Sequence, residues 1–147
     1  MRIHHKSARS QLASTLFVAC LVVVNSASVA ADTLAKVRKL SISYQSSTQI
    51  PNCKSHIAKA LVSNGLGVVS AAAQADAVLQ IQLDVRSGAV RSSISWGAKV
   101  EDHKGKRLYS AFGEESSWTA EATCKDLAED VAEELADDIR NARAINF

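Results

Sequence analysis

The sequence is poor in the residues that mark several protein classes. One proline and six glycines in 147 residues exclude collagen-like and low-complexity chains. Catalytic signatures are missing: there is no G-x-S-x-G, no H-E-x-x-H, no phosphate-binding glycine loop and no C-x-x-C. No cofactor is expected from such a chain. No acidic residue precedes Asp32, whereas Arg2, Lys6 and Arg9 do, so the formal charge of +2 is unevenly spread. Setting those three aside leaves 14 of the 17 basic side chains against 15 acidic ones, a net charge of −1. That balance argues against nucleic acid or another polyanion as the partner. What is present is ordinary for a folded protein: 47% hydrophobic and 22% charged residues. The length suits one domain.

The first 31 residues read as a secretory leader. Arg2, His4, His5, Lys6 and Arg9 give a positive start, Leu12 to Val24 an apolar run, and Ser28-Val29-Ala30 or Val29-Ala30-Ala31 a small-residue cleavage site. A membrane span needs about 20 apolar residues, and this run is shorter and broken by Ser14 and Thr15. The rivals are an uncleaved anchor and lipidation at Cys20. Phe17-Val18-Ala19 lacks the leucine of a lipidation site, and cleavage there would bare Leu21 to Val24. The expected plan is a signal peptide over 1–31 and one exported domain over 32–147, periplasmic or secreted. Export leaves two cysteines, Cys53 and Cys124, and an even count in an oxidising compartment points to one disulfide. The competing reading is a metal held by Cys53-x-x-His56 with Cys124 and His103, four ligands scattered over three segments.

The periodicity predicts strand, helix, four strands, helix. Leu40, Ile42 and Tyr44 alternate in the first strand. Ile57, Ala60 and Leu61 mark one side of a helix that starts at Cys53 and ends at Asn64-Gly65. Leu66 to Ser70 is a short strand, and Ala71 to Asp76 is either a helical turn or a loop. Ala77 to Arg86 and Val90 to Val100 alternate strictly. A two-residue turn at Ser87-Gly88 would pair Val85 with Val90, Ile81 with Ile94, Leu79 with Trp96 and Asp84 with Arg91. A three-residue loop with a left-handed Gly105 would pair Val100 with Leu108 and Trp96 with Phe112. Leu108 to Phe112 is the fifth strand, continuing irregularly toward Trp118. Thr123-x-x-Asp126 resembles a capping box, opening a helix with Leu127, Val131, Leu135 and Ile139 inside and six carboxylates outside. Each strand has one apolar face, so the fold class is α+β: a two-layer α/β sandwich with a mixed sheet of about five strands and both helices on one face. A Cys53–Cys124 bond between the two helix starts requires strands one and five to run the same way. Ala71 to Asp76 is the stretch that can supply the necessary parallel crossover.

Several residues carry chemistry on paper. His103 and His56 suit a solvated turn and a helix surface. Glu114-Glu115 could do acid–base work, but neighbouring carboxylates are more often solvated. The acidic helix stripe could attract calcium or a cationic partner, and a soluble helix face is the simpler reading. Lys104, Lys106 and Arg107 make a small basic tip that could touch anionic headgroups or polysaccharide. The uncovered sheet face carries Gln80, Gln82, Asp84, Arg86, Arg91, Ser93, Ser95 and Lys99, and is the candidate docking surface.

A leader followed by β-α-β, Ala75-Asp76-Ala77-Val78-Leu79 opening a long strand, Asp102-x-x-Gly105-x-x-Leu108-Tyr109, and a closing acidic helix together resemble small bacterial envelope-assembly domains. Examples are the amino-terminal domain of TolB, LptE, and curli- or exopolysaccharide-secretion lipoproteins. The resemblance implies a non-catalytic domain working through partners, and no residue role transfers by motif. The expected function is therefore a non-enzymatic exported accessory protein that binds an envelope protein or polymer, with no nucleic acid and no mature membrane span. A homo-oligomer is compatible. The alternative is a secreted binding protein or inhibitor acting on an external enzyme or ligand.

Overall fold

The computed structural model describes residues 33–145; the leader, its cleavage site and Cys20 lie outside them. After a short helical segment over 33–35 come β1 (Lys39–Ser46), α1 (Cys53–Ser63), β2 (Gly67–Val68), a 3-10 turn (Ala72–Gln74), β3 (Ala77–Ser87), β4 (Ser92–Glu101), β5 (Arg107–Ser117) and α2 (Ala120–Ile145). The strands form one mixed sheet in the order β2-β1-β3-β4-β5. β1 pairs in parallel with β2 and β3, and β4 is antiparallel to both β3 and β5. β1 and β5 therefore run the same way, and the stretch after β2 is the parallel crossover. Asp76 clamps that crossover to the start of β1, its Oδ2 accepting the N–H groups of Arg38 (2.8 Å) and Lys39 (2.9 Å). Both helices pack on one face, α1 against β1 and β2, α2 against α1, β4 and β5.

Leu40, Leu79, Ile81, Ile94 and Val100 from the sheet meet Ile57, Leu61, Leu127, Val131, Leu135 and Ile139 from the helices. Ala128, Ala132 and Ala136 are buried beside them, so the inward face of α2 is wider than its leucine row. The tight αL exit after α1 forms as the sequence implies: Asn64 Nδ2 donates to the Ala60 carbonyl at 2.8 Å, and Gly65 has φ 88°. The disulfide joins Cys53, the first residue of α1, to Cys124 with a Cα separation of 5.7 Å, within the usual range. Cys124 is in the second turn of α2 rather than the first.

Both hairpins differ from their predicted register. Val85 pairs with Ile94, Leu83 with Trp96, Ile81 with Ala98 and Leu79 with Val100. The two-residue turn is replaced by Gly88 to Arg91, closed by the Gly88 N–H on the Arg91 carbonyl at 2.8 Å. A type I′ turn needs positive φ at both central positions, and neither Ser87 nor Gly88 has it. The shift moves each partner by four positions, so every side chain that stays in the ladder keeps its face. Val90, 67% exposed, and Arg91 leave the ladder for the turn. The second hairpin slips by one. Gly105 is left-handed (φ 79°), but an irregularity between Val100 and Glu101 pairs Val100 with Tyr109 and Trp96 with Gly113. An odd slip reverses faces. Tyr109 turns inward, and Phe112 turns out onto the open face, 90% exposed. The cap of α2 is also earlier: Thr119 Oγ1 accepts the Ala122 N–H at 3.1 Å, while Thr123 sits inside the helix and donates its hydroxyl to the Thr119 carbonyl.

Candidate functional site

Among the described residues no element covers the sheet face opposite the helices. Alternation brings Ser43 and Gln45 of β1, Gln80 and Gln82 of β3, and Ser93, Ser95, Gly97 and Lys99 of β4 onto it. A shallow groove of about 370 Å³ crosses its centre, lined by Ser43, Gln45, Gln80, Gln82, Lys99 and Arg107. Its depth comes from Gly97, where an added Cβ would meet nothing within 4 Å. Gln82 Nε2 reaches Gln45 Oε1 at 3.4 Å across the β1–β3 pair. Two charge pairs lie along their own strands: Arg86 lies 3.7 Å from Asp84, and Lys99 lies 2.8 Å from Glu101. What remains is a surface of amides and hydroxyls with Arg107 and Glu114, which form no ion pair among the described residues.

Seven of the eight residues expected on this face are on it. Arg91 is not. It stands in the β3–β4 turn, its guanidinium 5.7 Å from the centre of the exposed Trp118 ring, and Asp84 pairs with Ser95 instead. The sequence reading missed Ser43, Gln45, Gly97, Arg107, Ser110 and Phe112. The first two were legible in the polar half of the β1 alternation. Phe112 was hidden by the one-residue slip.

The other candidates separate. Cys53 and Cys124 are bonded to each other, so neither offers a thiolate to a metal. Among the described residues no group of three His, Cys, Asp or Glu could hold an ion. His56 Nε2 lies 3.2 Å from Glu121 Oε1, which also accepts from Asn52 Nδ2 at 3.2 Å. These bonds, His56 first, hold the Glu121 carboxyl below its ordinary range. His103 Nε2 lies 2.7 Å from the Ala75 carbonyl and ties the β4–β5 turn to the crossover. Asp102 organises that turn by accepting the Lys104 and Lys106 N–H groups, chiefly the latter, which lowers its pKa.

Glu114 and Glu115 point to opposite faces of β5, so they do not act as a pair. Glu115 faces α2, where a hydrogen bond to Asp130, then partial burial, then the charges of Asp130 and Asp126, push its carboxyl up to about 7. Beside it a groove of about 400 Å³ runs between α2 and β5, lined by Trp96, Phe112, Asp130, Glu133, Glu134 and Asp137. Tyr109 is buried near Glu134 and Asp138, and burial first, then those charges, suppress its ionisation. Among the described residues the Tyr109 hydroxyl and the Trp96 indole N–H have no hydrogen-bond partner. No helix of the described residues is long and apolar enough to cross a membrane.

No protein-family model matches the chain, and no curated protein matches it in sequence. Among solved structures it is similar to PelC from Paraburkholderia phytofirmans, with 19% identity over 69% of this chain and 88% of that one and a TM-score of 0.54. A minor lipoprotein from Acinetobacter baumannii aligns at 11% identity over 69% and 92% of the two chains, TM-score 0.47. TolB from the same organism aligns at 12% identity over 73% of this chain and 28% of its own, TM-score 0.43. The fold of PelC is the fold of this chain, and the expected architectural resemblance to small envelope domains holds at that level.

Proposed function

We propose that this chain is a non-enzymatic, exported accessory protein of the cell envelope, binding an envelope protein or polymer through the open face of its sheet. The observation that carries this reading is the face itself. It is a broad surface of Gln and Ser side chains, grooved at Gly97 and covered by no element of the described residues. Two of its charge pairs lie within the strands and Arg107 and Glu114 have no ion pair among the described residues, so a partner is held there by hydrogen bonds, shape and those two charges. The leader-like first 31 residues and the shared fold with PelC support the envelope setting. PelC forms a dodecamer, which supports a homo-oligomeric state here.

Gly97→Arg tests the face. The open space over Gly97 accepts the side chain, which fills the groove without disturbing the core. Co-purification from native envelope should lose the partner captured by wild type while the thermal melt stays unchanged. Capture of the same components in the same amounts by a normally melting variant would remove this face as the binding site. Recovery of the protein in culture fluid, rather than with periplasm or membranes, would favour the secreted-binder reading.

A further inference from the structure

The two edges of the sheet are finished differently. β2, at one end, is only two residues long, and α1 packs beside it. β5, at the other, runs for eleven residues with no strand on its outer side. Edge strands are usually blunted by lysine, proline, a bulge or a covering segment. Arg107 to Ser117 contain neither lysine nor proline, and the irregularity at Val100 and Glu101 touches only the start of the strand. Its contacts among the described residues are chiefly with β4 and α2. α2 borders the edge, and Asp130, Glu133, Glu134 and Asp137 line the groove of about 400 Å³ there together with Trp96 and Phe112. Two of these carboxylates are engaged: Arg140 pairs with Asp137, and Glu115 hydrogen-bonds Asp130. Glu133 and Glu134 are exposed and form no ion pair among the described residues. Trp96 in the wall is only 7% exposed, and its indole N–H has no acceptor among those residues. A buried donor without an acceptor is uncommon and marks a missing partner.

A strand added outside β5 would continue the alternation of the sheet. Its side chains on the helix side would enter this groove, among Glu133, Glu134 and the Trp96 ring. Those on the other side would lie next to Phe112, which stands 90% exposed on the open face. Its main chain would meet the unpaired outer groups of β5, and it brings a carbonyl acceptor with every residue to an edge where the indole N–H lacks one. Carboxylates beside an indole favour Lys or Arg in the first set of positions, and an exposed ring favours apolar residues in the second. A second β5 does not meet this demand, because its helix-side residues Tyr109, Ala111, Gly113 and Glu115 include no cation. We propose that β5 accepts an extended basic segment of a partner protein as a sixth strand, with Lys or Arg at alternate positions in the α2–β5 groove and apolar residues against Phe112. This edge site does not depend on the partner proposed for the open face.

The probe is a fluorescently labelled heptapeptide alternating lysine and valine, titrated into the folded, oxidised protein at low salt and followed by anisotropy. It should bind, and the matching glutamate–valine peptide should not. Glu133→Gln with Glu134→Gln, at two exposed positions, should raise the Kd about 10-fold or more. Salt at about 0.5 M, where screening shortens to a few ångströms, should weaken binding in the same direction. Methylating every backbone nitrogen of the lysine peptide keeps its charges and removes its donors, and should also raise the Kd about 10-fold or more. Circular dichroism checks the fold of the double variant, and the methylated peptide is tested on wild type, so a misfolded variant leaves the test intact. Equal binding of the methylated and unmethylated lysine peptides would show attraction to a charged surface only and overturn strand addition. Binding indifferent to the two Gln substitutions, or no binding by wild type, would overturn the site. None of these outcomes bears on the open-face reading, which Gly97→Arg tests by itself.

Discussion

A methyl group on Gly113 probes the β4–β5 register and the packing of Trp96 together. A Cβ at residue 113 would sit 2.8 Å from Trp96 Cζ2, 3.0 Å from Cε2 and 3.1 Å from Nε1. Carbon atoms in favourable contact are about 3.5–4.0 Å apart, so the indole must move. Trp96 is only 7% exposed, and overpacking of this kind costs about 1–3 kcal/mol. Alanine recovers about 0.5–1 kcal/mol by lowering the freedom of the unfolded chain, leaving a net loss of about 1–2 kcal/mol. Gly97, the neighbour of Trp96, is the control. Its Cβ would meet nothing, so Gly97→Ala should gain about 0.5–1 kcal/mol. The two variants should differ by about 2–3 kcal/mol, or about 10 °C in Tm for a domain of this size. Thermal and urea melts of the oxidised protein measure the gap. In a Trp96→Leu background the Gly113→Ala cost should largely vanish, since the clash is with the ring. Equal melting of the two alanine variants in the wild-type background would mean that Trp96 does not lie over residue 113, and the register would be wrong.

Replacing Cys53 and Cys124 by serine opens a link spanning 71 residues and should cost about 4 kcal/mol on the chain-entropy account, read as a lower urea midpoint. Trp96→Ala should cost about 3–5 kcal/mol, the range for a buried aromatic ring. Glu115, raised from 4.5 to about 7 by Asp130, holds a proton in the folded chain that the unfolded chain has lost. Its contribution is therefore complete below pH 4.5 and is lost as pH rises through about 7; Glu115→Gln should flatten that decline in urea midpoints. Asp76 works in the opposite sense. The Arg38 and Lys39 N–H groups lower its pKa, so its contribution is present above its ordinary value and disappears as pH falls through the lowered one. Asp76→Ala should remove that acid-side loss.

The parts legible in the sequence were those set by parity and by covalent constraint. Alternation in Ala77 to Arg86 and Ser92 to Val100 decides which side chain faces the helices, and an even error in turn length leaves that decision intact. This is why Trp96 and Ile94 are core residues although their expected partners were four positions off. The expected bond between two helix starts likewise required strands one and five to be parallel, and they are. Turn geometry was not legible in the same way. Gly105 could be assigned its left-handed φ, but nothing local announces the irregularity at Val100 and Glu101. That irregularity is a tertiary outcome: with Gly113 opposite Trp96 the indole has room, and with Phe112 there two large rings would compete for one site.

The acidic helix shows a different limit. Read along the chain, Glu129, Asp130, Glu133, Glu134, Asp137 and Asp138 are an exposed face on an amphipathic helix, and periodicity does not show which charged groups of the helix meet another element. That depends on tertiary packing. α1 lies directly against α2, so Glu121 in the first turn meets His56 and Asn52, and Arg143 in the last turn reaches back to the Ala35 and Val37 carbonyls. Charge composition alone does not distinguish these engaged groups from the solvated ones, since the same residues would be present in any packing.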